Sequence, residues 1–196
     1  MSATSPSAVS AAVVGQSLGG GVAVLVDHAR PGLLRRLLLC EAVAFPTMGT
    51  TTNPMSERAR ARRLLWPDRA TFVHAVGSKP PIADLASDAL QAYARWGLVD
   101  RADGQVQLAC LPDTEAAIFE VSGTADGAPT AWAHIPSLHA PAAIIAGDRS
   151  FLPLAMFEHQ AAHGGLPLHV VPGGHFLLQE NTCEAANLLR THLGST

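Results

Sequence analysis

The stretch Gly15-Gln16-Ser17-Leu18-Gly19 decides the fold that this sequence predicts, because of the segments on either side of it. Residues 9–14 form a short apolar run with several valines, which is typical of a buried strand. Residues 20–26 are also apolar, and they continue a segment long enough for a buried helix. A serine flanked by glycines between a strand and a helix is typical of a sharp, strained turn that exposes the hydroxyl. Ser17 is therefore the candidate nucleophile.

Three further segments indicate how the chain continues. Residues 37–42 and 142–148 are apolar and predict two more strands, and residues 168–176 predict a last strand followed by a glycine-rich loop with His175. Predicted helices over residues 18–29, 153–163 and 180–193 alternate with these strands. Such alternation predicts an α/β fold with a parallel sheet.

These segments resemble the α/β-hydrolase superfamily, in which the nucleophile, the acid and the histidine follow one another in that order. The resemblance implies that Ser17 is the nucleophile and that His175, in the sequence Pro-Gly-Gly-His-Phe, is the general base. It also implies that the backbone N–H of Leu18 stabilises the oxyanion. The expected architecture is a core over residues 1–46 and 141–196 with a mainly helical lid inserted over residues 47–140.

Two residues are candidates for the acid that orients His175. In most of the superfamily the acid ends a Gly-x-x-Asp segment after the lid, but here Ser150 holds that position and Asp148 comes two residues earlier. In other branches the acid ends the strand before the lid, where this chain has Glu41. A carboxylate at the end of an apolar strand also needs a partner, because burying it alone is costly. We favour Glu41, with Asp148 as the alternative, and a salt bridge at the rim is the other role open to Glu41.

Inside the predicted lid, the sequence favours helices over residues 56–66, 68–76, 82–96 and 114–119. Asp103-Gly104 lies between two short apolar runs, 98–100 and 106–108, and this pattern predicts a β-hairpin.

The nucleophile turn comes early in the chain. The family places further strands before it, and a loop among them supplies the second oxyanion donor. We therefore expect a truncated core whose first strand, residues 9–14, has an exposed edge that favours pairing of two copies as a homodimer. A catalytically inactive hydrolase remnant, or a binding module that lacks half of the oxyanion hole, is the alternative function.

Composition limits the other possibilities. The chain has 196 residues and a formal net charge of −3 without a basic stripe, so nucleic acid is not an expected partner. No apolar stretch reaches the length of a membrane span, and no positive charge precedes the first apolar segment, so neither membrane insertion nor a signal peptide is expected. Cys40, Cys110 and Cys183 form no Cys-x-x-Cys pair, which argues against a zinc site or disulfide framework and favours the cytoplasm.

Together, these observations predict a serine hydrolase. Its substrate is expected to be an ester or a related small carbonyl compound that is partly apolar, cleaved through an acyl-enzyme. The mechanism requires no cofactor and no metal ion.

Overall fold

The computed structural model describes residues 11–46, 53–124 and 126–193, in which strands and helices alternate along the chain. The elements are β1 (Ala11–Gln16), α1 (Leu18–Ala29), β2 (Leu34–Cys40), α2 (Pro54–Arg60), β3 (Leu65–Trp66), α3 (Arg69–Gly77), α4 (Ser87–Trp96), β4 (Leu98–Asp100), β5 (Val106–Leu108), α5 (Pro112–Gly123), α6 (Ala128–His134), β6 (Ala142–Gly147), α7 (Leu154–Gly164), β7 (Leu168–Val171), α8 (Leu177–Glu180) and α9 (Thr182–Leu193). Val9 and Ser10 of the first predicted strand, and residues 47–52 before the predicted lid helices, lie outside the described residues.

The central sheet has four strands in the order β1-β2-β6-β7, and every neighbouring pair is parallel. The α/β fold with a parallel sheet that the sequence predicts is thereby confirmed. All four strands run in the same direction, so their carboxyl ends meet at one edge of the sheet. At that edge Gln16 pairs with Cys40, and Gly147 pairs with Val171.

Helices cover both faces of this sheet because β2 is apolar on both of its faces. Leu37 and Leu39 point into a cluster with Val24 of α1 and Phe157 of α7. The alternate residues, Leu38 and Cys40, belong to a second cluster on the other face, together with Ile145 and Leu177. Such two-sided burial is typical of a central strand in a parallel sheet.

A second, smaller sheet lies within the predicted lid segment. Its strands have the order β3-β5-β4, and neighbouring strands are antiparallel. Strands β4 and β5 form the predicted hairpin, with Asp103-Gly104 in the turn between them. The helix predicted over residues 56–66 is wrong beyond Arg60, because Leu65–Trp66 forms β3 instead. Trp66 packs edge-on against Phe72 with their ring centroids 5.3 Å apart, and this tertiary contact outweighs local helix propensity.

Helix α6 was not predicted from the sequence. The helix contributes Ala131 to the buried cluster that contains residues of the central sheet. Ile135, which follows the last residue of the helix, is buried in the same cluster. Part of the segment that the sequence assigns to the lid therefore packs against the core. Among the described residues, no helix combines the length and the apolar character needed to cross a bilayer.

Candidate active site

Ser17 lies at the sharp turn between β1 and α1, with φ 53° and ψ −124°. The turn requires glycine at Gly15, because a Cβ there would lie 2.7 Å from the carbonyl oxygen of Gly19. The Ser17 backbone is held from both sides: its N–H donates to the carbonyl of Cys40 at 2.9 Å, and its carbonyl accepts from the N–H of Val43 at 2.8 Å. The turn therefore fixes the serine at the carboxyl edge of the sheet.

Leu18 is the first residue of α1. The first N–H groups of a helix have no acceptor within that helix, and they carry the positive end of its dipole. The backbone N–H of Leu18 is therefore suited to stabilise negative charge that develops beside Ser17.

His175 lies in the loop between β7 and α8, and its imidazole is buried between two candidate residues. Its Nε2 lies 2.9 Å from Oγ of Ser17. Its Nδ1 lies 3.1 Å from Oε2 of Glu41. Both contacts are satisfied when Nδ1 carries the proton. Its N–H then donates a hydrogen bond to the carboxylate, while Nε2 accepts a hydrogen bond from the serine hydroxyl.

Glu41 follows the last residue of β2 and is fully buried. Besides contacting His175, its carboxylate accepts from the N–H of Gly147 at 2.7 Å and from the hydroxyl of Ser150 at 2.5 Å. These donors compensate the cost of burying the charge.

The backbone at Glu41 and Ser17 is unusual in the same way. Within the described ranges these two are the non-glycine residues with positive φ, 50° and 53° respectively. Residues other than glycine rarely adopt this backbone conformation, because it costs about 1–3 kcal/mol. Such residues are concentrated at functional sites.

Asp148, the alternative acid, has other partners. Its Oδ1 accepts from the N–H of Gly173 at 2.9 Å and lies 3.2 Å from the guanidinium of Arg149. The side chain is half exposed, whereas Glu41 is buried against the imidazole. The fold thus places Glu41 against His175, whereas Asp148 binds the backbone of the loop that carries His175.

Ser150 holds the position where most of the family has its acid, and here its hydroxyl donates to Glu41. The sequence identified Ser150 as the residue at the usual acid position but did not predict its hydrogen bond to Glu41. The spacing after Gly147 is the signal that could have found it.

Gln16 is a second residue that sequence reasoning missed. Its Nε2 donates to the carbonyl of His175 at 2.8 Å, and its Oε1 accepts from Nε2 of Gln179 at 2.9 Å. In the same loop, the N–H of Gly174 donates to Glu180 at 2.7 Å. Gln16 and His175 are 159 residues apart in the chain, so no local pattern could have revealed the contact.

No group of three or more histidine, cysteine, aspartate or glutamate side chains comes together as a metal site within the part of the chain that the structure describes.

The rings of Phe151 and Phe176 lie against His175, with centroids 4.7 and 5.2 Å from that of the imidazole. The arrangement can activate a hydroxyl for attack on a carbonyl carbon, because a base contacts the hydroxyl and a carboxylate orients the base.

The sequence matches no curated protein. Among solved structures, the chain is similar to the peroxisomal alpha-beta-hydrolase Lpx1 from Saccharomyces cerevisiae, with a TM-score of 0.77 and 18% identity, over 93% of this chain and 52% of that one. It is also similar to E-2-(acetamidomethylene)succinate hydrolase, with a TM-score of 0.73 and 20% identity, over 95% and 67% of the two chains.

An esterase from Mycobacterium tuberculosis is a third similar structure, with a TM-score of 0.63 and 18% identity, over 94% of this chain and 60% of that one. The chain thus spans about half to two thirds of the length of these structures. At such identities the likeness concerns the fold alone. Residues 3–187 match the model of the Alpha/beta hydrolase family, which is nearly the whole sequence. The chain therefore belongs to the alpha/beta hydrolase family.

Proposed function

We propose that this protein is a serine hydrolase that cleaves an ester or a related small carbonyl compound through an acyl-enzyme on Ser17. The observation that carries the proposal is the continuous contact from Ser17 Oγ through His175 to the buried Glu41. The strained turn under Ser17 supports it, because such strain is concentrated where chemistry needs a fixed side chain.

In the first step, Oγ of Ser17 attacks the substrate carbonyl and its proton passes to Nε2 of His175. The carbonyl π electrons move to the oxygen, whose charge the N–H of Leu18 stabilises. When the tetrahedral intermediate collapses, the bond to the alcohol breaks and His175 returns the proton to the leaving oxygen. Water then attacks the acyl-enzyme by the same sequence, releasing the carboxylic acid and restoring Ser17.

Glu41 is proposed to hold the imidazole in the required tautomer and to stabilise it when it is protonated. Its buried carboxylate, with donors from Gly147 and Ser150, suits this role because a fixed charge costs no reorganisation during the reaction.

The alternative function, a binding module without catalysis, is favoured by one observation. The N–H of Leu18 is the one oxyanion donor that we assign among the described residues, and losing a donor costs about 100- to 1000-fold in rate. A hydrolysis assay separates the two functions.

The direct test is hydrolysis of p-nitrophenyl acetate and butyrate by the purified chain. We expect release of p-nitrophenol that saturates with substrate and shows an initial burst from the acyl-enzyme. Release no faster than in buffer, from protein with a cooperative unfolding transition, would favour the binding module.

Gln16 is proposed as a positioning residue, because its amide ties the residue before the nucleophile to the backbone of the base. Replacing it by leucine is expected to lower kcat for p-nitrophenyl butyrate about 10- to 100-fold with little change in KM, since small misplacements of reacting groups have effects of this size. Gln91→Leu, at an exposed position of α4, is the matched control. Equal kcat values for the two variants would remove Gln16 from the positioning network.

We also propose that two copies pair through β1. Among the described residues β1 pairs with β2 only, which leaves its other edge open to a partner strand. The mass of one chain is 20.4 kDa. Light scattering on protein eluted from a size-exclusion column is expected to give twice this mass. A monodisperse species at the chain mass would contradict this pairing.

A reducing compartment such as the cytoplasm is the proposed location. Cys40, Cys110 and Cys183 are all free thiols. Burial, together with the neighbouring Glu41 carboxylate, raises the pKa of the Cys40 thiol to about 12, so this residue packs the core and is not a nucleophile.

A further inference from the structure

A cleft of about 430 Å³ lies between α1 and α5. On α1 it is lined by Leu18, Val22 and Leu25, which share one face because they are three or four residues apart. On α5 the apolar part of the lining comes from Ala117, Ile118 and Val121, again at helical spacing, and Thr114 and Ser122 also line the cleft. Two apolar helix faces therefore confront each other across an open space.

The apolar side chains of this cleft are unusually accessible. Val22 is 52% exposed, Ile118 45% and Val121 60%. Exposed apolar residues that form one continuous surface mark a site for an apolar ligand or partner. Asp126 is the one charged residue that lines the cleft among the described residues.

The cleft lies beside the turn that carries the proposed nucleophile. Leu18 follows Ser17 directly, and its backbone N–H is the proposed oxyanion donor. Val43, which also lines the cleft, donates its N–H to the carbonyl of Ser17 at 2.8 Å. The lining thus includes the residue next to Ser17, which places an apolar surface beside the proposed site of attack.

We propose that this cleft binds the straight aliphatic acyl chain of the substrate, an inference that rests on the proposed function of Ser17. From Leu18 to Leu25 the face of α1 extends about 10 Å, which matches an extended chain of about eight carbons. No cationic side chain lines the described part of the cleft, so a second carboxylate at the far end of the chain would have no partner. The preferred acyl group is thus a medium-length monocarboxylic one.

The test measures binding without catalysis. The Ser17→Ala protein is titrated calorimetrically with the methyl esters of acetic, butyric, hexanoic and octanoic acid. Affinity is expected to rise about fourfold per methylene, and so about 200-fold from butyrate to octanoate, because each methylene leaves water for the cleft.

Val121→Asn, introduced into the same protein, places a polar group in the cleft. It is expected to weaken binding of methyl octanoate at least tenfold and that of methyl butyrate less, since the longer chain covers more of the cleft wall. Val99→Asn is the matched control, because Val99 is also an exposed valine, at 43%, but lies on β4 outside the cleft lining.

Affinity that does not depend on chain length, or a gradient that Val121→Asn leaves intact, would overturn the proposal. A dimer that Val121→Asn converts to a monomer, without an effect on ester binding, would also overturn it and assign the cleft to a second copy. The outcome is independent of hydrolysis: a chain-length gradient in a protein whose wild type cleaves no ester would refute the proposed function and leave the cleft assignment standing.

Discussion

Replacing Ser17 by alanine is expected to lower kcat for p-nitrophenyl butyrate by about a millionfold, the loss seen when the nucleophile of a serine triad is removed. The reason is that the serine oxygen forms the bond to the carbonyl carbon, and the alanine side chain has no atom that can form it. Nε2 of His175, at 2.9 Å from the hydroxyl, would lose its proton donor but remain in place. Stopped-flow and steady-state release of p-nitrophenol measure the effect.

The matched control is Ser137→Ala, an exposed serine whose hydroxyl donates to the carbonyl of His134. Its kcat is expected to remain within twofold of wild type. If Ser17→Ala kept more than a hundredth of the wild-type rate, the acyl-enzyme on Ser17 would be refuted.

Replacing Glu41 by glutamine is also expected to cause a large loss of activity. The amide keeps the shape of the side chain but removes the charge, and its NH₂ group can face Nδ1 of His175 and favour the wrong tautomer. Loss of the orienting carboxylate in this way typically lowers kcat about 10⁴-fold. Asp148→Asn is the control, because Asp148 contacts the loop backbone and Arg149. A larger loss in Asp148→Asn than in Glu41→Gln would make Asp148 the acid.

Ser150 allows a sharper form of this test. Its hydroxyl lies 2.5 Å from Oε2 of Glu41, so an aspartate at position 150 brings a carboxylate beside side chain 41, close to the imidazole. The double variant Glu41→Gln/Ser150→Asp is expected to recover at least tenfold over Glu41→Gln alone. Ser150→Asp alone is expected to be less active than wild type, because two adjacent carboxylates disfavour the charged form of each other. No recovery in the double variant would show that position 150 does not reach the imidazole.

Much of the fold could be predicted because its signals are local. The glycines around Ser17, the apolar run over residues 37–42 and the segment after Pro141 each identify a strand or turn from a few neighbouring residues. The structure confirms the parallel sheet built from them. The family membership predicted from the same residues is confirmed as well.

Other features depend on contacts between distant segments, and these could not be predicted. Trp66 ends a helical pattern because its ring packs on Phe72, and α6 forms where Ala131 and Ile135 meet the core. The sequence favoured Glu41 over Asp148 without deciding between them, since both follow strands that end at the same edge of the sheet. Only the geometry places Glu41 3.1 Å from the imidazole.

His175 is proposed to activate the hydroxyl of Ser17 for attack. Labelling of the purified protein with a fluorescent fluorophosphonate tests it most directly, because this probe reacts with activated serines and needs no knowledge of the substrate. We expect rapid labelling of the wild type at a single site, with none in Ser17→Ala or His175→Ala. Folded wild-type protein that remains unlabelled, or labelling that persists in Ser17→Ala, would contradict the account.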